Sequence, residues 1–255
     1  MKKRNVKKAK DTWTVPQTLK QTTVVFVKCP PLIPEPRGYS KPVQLNMDKE
    51  YLYKDTIYTL TNFLSDSECA AWIEFGEREG FEASFQKQNR ECAHRDNGRI
   101  SIESESIAQA FFLRLNPSLP EKYGTRQLNS CNTNIRLYKY GPGQRFGRHV
   151  DESVVDSNGR KSVYTVLVYL NGHNEDNTSE TPRSGDGADL EAINTLVGGE
   201  TKFYRRHHGS AIACAVRPKK GQALLHGHGA QCLTHEGAEV KEGVKYLLRT
   251  DVMYA

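Results

Sequence analysis

Val163-Tyr164-Thr165-Val166-Leu167-Val168-Tyr169-Leu170 carries apolar residues at odd and even positions alike. Successive side chains on a strand point to opposite faces, so a run that is apolar on both predicts a strand buried on both sides. Around it lie further short β-rich runs punctuated by glycine, at residues 134–140, 200–204, 211–216, 223–228 and 245–254. Several short strands at such spacing predict a sandwich or double-sheet jelly roll.

Upstream the texture changes. Regular structure is expected to begin with the β-rich Thr56-Ile57-Tyr58-Thr59-Leu60. Ser65 and Glu68 then fit a capping box, and Cys69, Trp72, Ile73 and Gly76 recur on one side at helical spacing. That predicts a helix of about three to four turns. Ile107, Ala108, Phe111, Phe112 and Leu115 predict a second helix, stopped by Asn116-Pro117. Both helices are expected to pad the outside of a sheet. Six of the eleven prolines lie from Pro16 to Pro42, which predicts an extended lead-in without helix or central strand. The expected organisation is a basic, proline-rich segment over residues 1–50 and one domain over 51–255. Its core is expected at about 131–254, interrupted by a polar, glycine-bearing loop at 171–194. A loop of that length suits a lid or binding segment, or a bland surface insertion.

At 255 residues and 28.8 kDa, one large β-rich domain with helical additions fits better than two independent ones. With 37% hydrophobic residues and no long apolar run, a membrane span is not expected. The basic start lacks a following apolar stretch, so it does not read as a secretory signal, and the cytoplasm or nucleus is the expected location. Of the net charge of +6, the first ten residues supply six bases and no acid, which leaves the body balanced. A balanced body argues against a nucleic-acid groove and confines any phosphate attraction or nuclear-import role to the tail. The six cysteines include no C-x-x-C and read as reduced thiols.

Within Gly147-Arg148-His149-Val150-Asp151, His149 and Asp151 stand two apart, which on a strand puts both side chains on one side. A lone His235 follows in Leu233-Thr234-His235-Glu236-Gly237. Two imidazoles and one carboxylate are the ligand set of a non-haem Fe(II) facial triad, which leaves the other face of the ion open. His226 and His228 add two imidazoles near this predicted site, and alternation would place both on the same strand face. His207 and His208 read as a solvated hairpin tip, Arg145 and Arg148 as solvated flanks of the motif. Arg136 and Tyr138 share a strand face with Tyr140 and fit either a pocket lining or a packed wall.

The C-terminal half resembles the prolyl 4-hydroxylase-like branch of the 2-oxoglutarate- and Fe(II)-dependent dioxygenases. The likeness rests on residues 140–151, on Gly198-Gly199-Glu200-Thr201-Lys202-Phe203, on 218–225, and on His235-Glu236-Gly237 with Val240, Gly243 and Lys245. It implies an α+β, mainly β fold: a double-stranded β-helix (jelly roll) core with flanking N-terminal helices. It further implies that His149, Asp151 and His235 bind Fe(II). Lys245, ten residues after His235, would hold the distal carboxylate of 2-oxoglutarate with help from Tyr140. Arg249, four residues on along the same strand face, is the competitor for that carboxylate. The implied chemistry is hydroxylation of an unactivated C–H bond, using O₂ and releasing succinate and CO₂, with ascorbate as reductant. By resemblance, the expected substrate is a prolyl residue in a protein or peptide. A nucleic-acid base or small metabolite, and a non-catalytic jelly-roll binding module, are the rival readings.

Overall fold

In the computed structural model, which describes residues 25–29, 43–89, 92–173, 196–206 and 209–255, regular structure starts well before Thr56. The strand β1 (Val25–Cys29) pairs antiparallel with β2 (Val43–Met47), which corrects the expectation that regular structure begins at Thr56. The reason is local: VFVKC and VQLNM hold β-branched residues and no proline, so each can complete a ladder between the proline clusters. The basic tail, most of the prolines, His207, His208 and residues 174–194 of the expected loop lie outside the described residues.

A second hairpin, β3 (Lys49–Tyr53) and β4 (Ile57–Leu60), leads into α1 (Asp66–Glu79). Ser65 caps α1 as expected: its hydroxyl accepts from the Glu68 N–H while the Glu68 carboxylate accepts from the Ser65 N–H. Two strands follow, β5 (Glu82–Gln86) and β6 (Arg95–Glu103), then α2 (Glu105–Leu115). A 3₁₀ turn at Asn116–Ser118 ends α2, because Pro117 has no N–H with which to continue it. Arg114 of α2 reaches the Glu68 carboxylate and the Phe63 carbonyl in a fully buried arrangement that ties the helices together. Trp72, Phe63 and Phe111 fill the space between the helices and the sheet.

The rest of the chain is strand. In order it runs β7 (Lys122–Tyr123), β8 (Arg126–Cys131), β9 (Asn134–Tyr140), β10 (Phe146–His149) and β11 (Lys161–Tyr169). It continues as β12 (Val197–Gly198), β13 (Thr201–Tyr204), β14 (Ile212–Val216) and β15 (Ala223–Gly227), and finishes as β16 (His235–Gly237), β17 (Val240–Glu242) and β18 (Lys245–Tyr254). The main sheet is ordered β14-β13-β16-β10-β6-β9-β18-β11-β15-β4-β3, and its two edge strands approach each other, so it nearly closes. Two four-stranded layers stand out within it, β9-β18-β11-β15 and β10-β16-β13-β14, with the chain passing back and forth between them. That is the expected double-stranded β-helix.

Strand alternation builds the interior. On β11, Val166 and Val168 pack toward the helices, while Thr165 and Leu167 face a pocket between the layers. On β18 the same period sends Tyr246 and Leu248 into the helical core and Lys245, Leu247 and Arg249 into the pocket. Tyr138 and Tyr140 of β9 complete that wall. Among the described residues, no helix is long and apolar enough to cross a membrane.

Candidate active site

Backbone register puts His149 and His235 face to face: the last residue of β10 pairs with the first of β16. Asp151 arrives differently from the strand expectation. The chain leaves β10 at His149, and Asp151 is held beyond the strand by its own N–H to Cys232 Sγ and by its carbonyl, which accepts from the Gly229 N–H. Its carboxylate nevertheless meets both rings, with Oδ1 3.5 Å from His149 Nε2 and Oδ2 3.8 Å from His235 Nε2. One ligand atom from each of the three side chains lies within 4.8 Å of the others.

Whether this trio suits a metal can be judged from the far side of each ring. His149 Nδ1 sits 2.8 Å from the Gly147 carbonyl and His235 Nδ1 2.9 Å from the Leu233 carbonyl. A carbonyl only accepts, so each Nδ1 carries the proton and each Nε2 turns a lone pair toward Asp151. Phe146 stacks on His149 at 3.7 Å between centroids and fixes the ring plane. Burial and the neighbouring His149 push His235 down to about 3, so it is neutral at physiological pH. Burial alone would raise the Asp151 carboxyl, but the Arg249 guanidinium beside it holds it well below the usual carboxylate range. A neutral His235 imidazole and an ionised Asp151 carboxylate are in the protonation states that bind a divalent ion. The donor set fits the Fe(II) that the resemblance implies.

Behind Asp151 stands a second polar layer. Arg249 Nη2 lies 3.0 Å from Asp151 Oδ2, and Thr165 Oγ1 donates to the same oxygen at 2.7 Å. His228 bridges Thr165 to Ser162, with its Nδ1 2.9 Å from Ser162 Oγ. The two extra imidazoles therefore separate: His228 belongs to this layer, whereas His226 faces the pocket, 3.7 Å from Asp151 Oδ2. Thr165 was not singled out from sequence. Its signal was present, since it is the one clearly hydrophilic side chain in the opening run.

At the other end of the pocket Lys245 is buried opposite Tyr140, its direct partner across β9 and β18. Its Nζ donates to the Gly199 carbonyl at 2.6 Å and lies 5.7 Å and 5.4 Å from the Tyr140 and Tyr169 ring centres. Gly199 has φ +71°, and a Cβ there would stand 3.1 Å from Lys245 Cδ, so glycine makes room for the lysine stem. Burial pulls the Lys245 ammonium down to about 8, against the partial support of Glu200. Arg249 shares that strand face as expected, yet its fork is turned to Asp151 and Asp251. The pocket joining the two ends encloses about 480 Å³, its open mouth included.

Other candidates resolve plainly. Arg148 lies over the Tyr204 ring at 3.8 Å and pairs with Glu236, so it is not a free solvated charge. Arg136 donates to Asn134 and stays out of the pocket wall that Tyr138 joins. Cys69, Cys92, Cys131, Cys214 and Cys232 are free thiols.

A jelly roll with a His-Asp-His cluster and a buried cation at opposite ends of one pocket answers to the mononuclear non-haem iron oxygenases. Residues 135–250 match the family model described as the 2OG-Fe(II) oxygenase superfamily, and every pocket residue discussed above falls inside that stretch. That stretch carries the 2OG-Fe(II) oxygenase domain, which supports a 2-oxoglutarate-dependent dioxygenase. Among solved structures it is similar to the collagen prolyl hydroxylase of Paramecium bursaria Chlorella virus-1 in complex with 2OG. That match has 19% identity, 78% of this chain, 96% of the viral chain and a TM-score of 0.52. It is also similar to a Trichoplax adhaerens prolyl hydroxylase in complex with a peptide of the hypoxia inducible factor oxygen degradation domain. There the identity is 16%, covering 78% of this chain and 84% of the other, with a TM-score of 0.52. At such identities the likeness is one of fold. A search of curated proteins finds no match.

Proposed function

We propose that the enzyme hydroxylates an unactivated C–H bond in a protein or peptide, with a prolyl residue as the first substrate class, and releases succinate and CO₂. The observation that carries this is the pair of Nδ1 locks, which aim two imidazole lone pairs at one buried carboxylate. His149, Asp151 and His235 would hold Fe(II), which when bound supplies activation of O₂ coupled to decarboxylation of 2-oxoglutarate. Lys245 would receive the distal carboxylate, since its ammonium has three donors and one is used on Gly199. Tyr140 flanks that position. Arg249 would keep Asp151 ionised and oriented rather than bind the co-substrate.

Support for a peptide comes from the mouth of the pocket. An open groove shares Phe146 and Gly237 with it and runs over His94, Arg145, Lys202 and Glu239, offering charges of both signs. The two solved structures named above are both prolyl hydroxylases, one with a peptide bound. Ascorbate is proposed as the reductant that rescues uncoupled turnover. The test is mass spectrometry of proline-containing peptides incubated with the enzyme, Fe(II), 2-oxoglutarate and ascorbate. The proposal expects a gain of one oxygen on proline with matching succinate. Succinate coupled only to an oligonucleotide or small metabolite would overturn the peptide assignment.

A further inference from the structure

His226 is 1% exposed, and neither of its ring nitrogens has a hydrogen-bond partner. Every other imidazole around Asp151 is accounted for: His149 and His235 are each anchored through Nδ1, and His228 is held at both nitrogens by Ser162 and Thr165. A buried polar group without a partner costs about 1–3 kcal/mol, and such a group in a native site calls for a ligand that completes it. The His226 ring is wedged in place, 5.3 Å from the Phe203 centroid and 4.5 Å from that of His235. It lines the same pocket as Lys245.

Which oxygen could reach it follows from the neighbours. Asp151 Oδ2, at 3.7 Å, is too distant for a hydrogen bond and already receives Thr165 and Arg249. What remains is the space in front of the cluster, which an acid spanning from Lys245 would enter with its keto-carboxylate end. We propose that His226 is a further binding residue of this site, donating a hydrogen bond to the metal-chelating keto-carboxylate end of 2-oxoglutarate. The inference rests on the function proposed above and adds a contact at the end of the acid opposite Lys245.

Calorimetric titration of Mn(II)-loaded protein tests it without turnover. Replacing His226→Phe keeps an aromatic ring against Phe203 and removes the donor, and is expected to weaken 2-oxoglutarate binding about 10-fold or more. His226→Gln, which restores a donor, is expected to recover most of it. Pyruvate lacks the distal carboxylate, so its binding should be weakened by His226→Phe and left unchanged by Lys245→Met. Mn(II) affinity without any keto acid should be unaffected by His226→Phe. Should the Phe variant not fold, His226→Leu set against His226→Gln gives the same contrast. Equal 2-oxoglutarate affinity in the donor-less and donor-bearing variants overturns the inference while leaving the oxygenase assignment intact. Loss of Mn(II) affinity in the absence of keto acid also overturns it, by making His226 a ligand. Wild-type protein that binds Mn(II) but no 2-oxoglutarate defeats the underlying reading instead.

Discussion

The two ends of the pocket handle buried charge in opposite ways. At the metal end a buried anion, Asp151, is surrounded by Arg249, Thr165 and three imidazoles. At the far end a buried cation, Lys245, rests on one carbonyl and two aromatic rings, with Glu200 as a partial counter-charge. The metal end is organised before any ligand arrives, so its geometry is paid for in folding. The far end is left short of negative charge, which is the property that makes an acid the natural occupant.

Breaking the metal end should have the largest effect. Asp151→Ala removes a ligand and strands Arg249, so turnover is expected to vanish and metal affinity to fall by more than the ~10–100-fold typical of a supporting residue. Metal titration followed by succinate assay checks both. Lys245→Met comes next. Removing a buried charged partner costs about 3–5 kcal/mol, so 2-oxoglutarate affinity should drop at least ~100-fold while metal affinity is kept. Arg249→Met should show the reverse split, with metal affinity down ~10–100-fold and keto-acid affinity per bound metal little changed. If Arg249→Met instead behaves like Lys245→Met, Arg249 is the carboxylate anchor and the contrast between the ends is wrong.

Smaller effects sharpen the comparison. Gly199→Ala places a Cβ 3.1 Å from Lys245 Cδ at φ +71°, and should cost about 1–2 kcal/mol in stability, read as a lower Tm. It should also weaken keto-acid binding, whereas metal binding is untouched. The pH response has two signs. The Lys245 pKa is about 8 in the folded chain against 10.5 for the free side chain, so its charge fades as pH rises through 8 and 2-oxoglutarate affinity should fall there. In the ligand-free protein the unfolded chain binds the extra proton between those values, so this residue makes stability rise with pH across the same window. Binding isotherms and chemical denaturation at matched pH values separate the two.

Much of this was legible because strands have a period of two. Alternation put Tyr138 with Tyr140 on one face of β9 and Lys245 with Arg249 on one face of β18, the unbroken apolar run predicted that β11 is buried, and the capping box at Ser65 predicted where α1 starts. What spacing could not reveal is how the chain behaves after a strand ends. Asp151 reaches its place by leaving β10, and His228 parts from His226 because β15 stops at Gly227. The direction of the Arg249 fork was equally hidden, since Asp151 and Asp251 compete for it only once three strands are assembled. The hairpin of β1 and β2 was masked by proline counts that ignored the proline-free runs between them.

The most direct test of the central claim is anaerobic equilibrium dialysis of Fe(II) against the wild-type protein and the single variants His149→Ala, Asp151→Ala and His235→Ala. The account predicts one ion per chain in the wild type and loss of that ion in each variant. Undiminished iron uptake in all three variants, or none in the wild type, would contradict it.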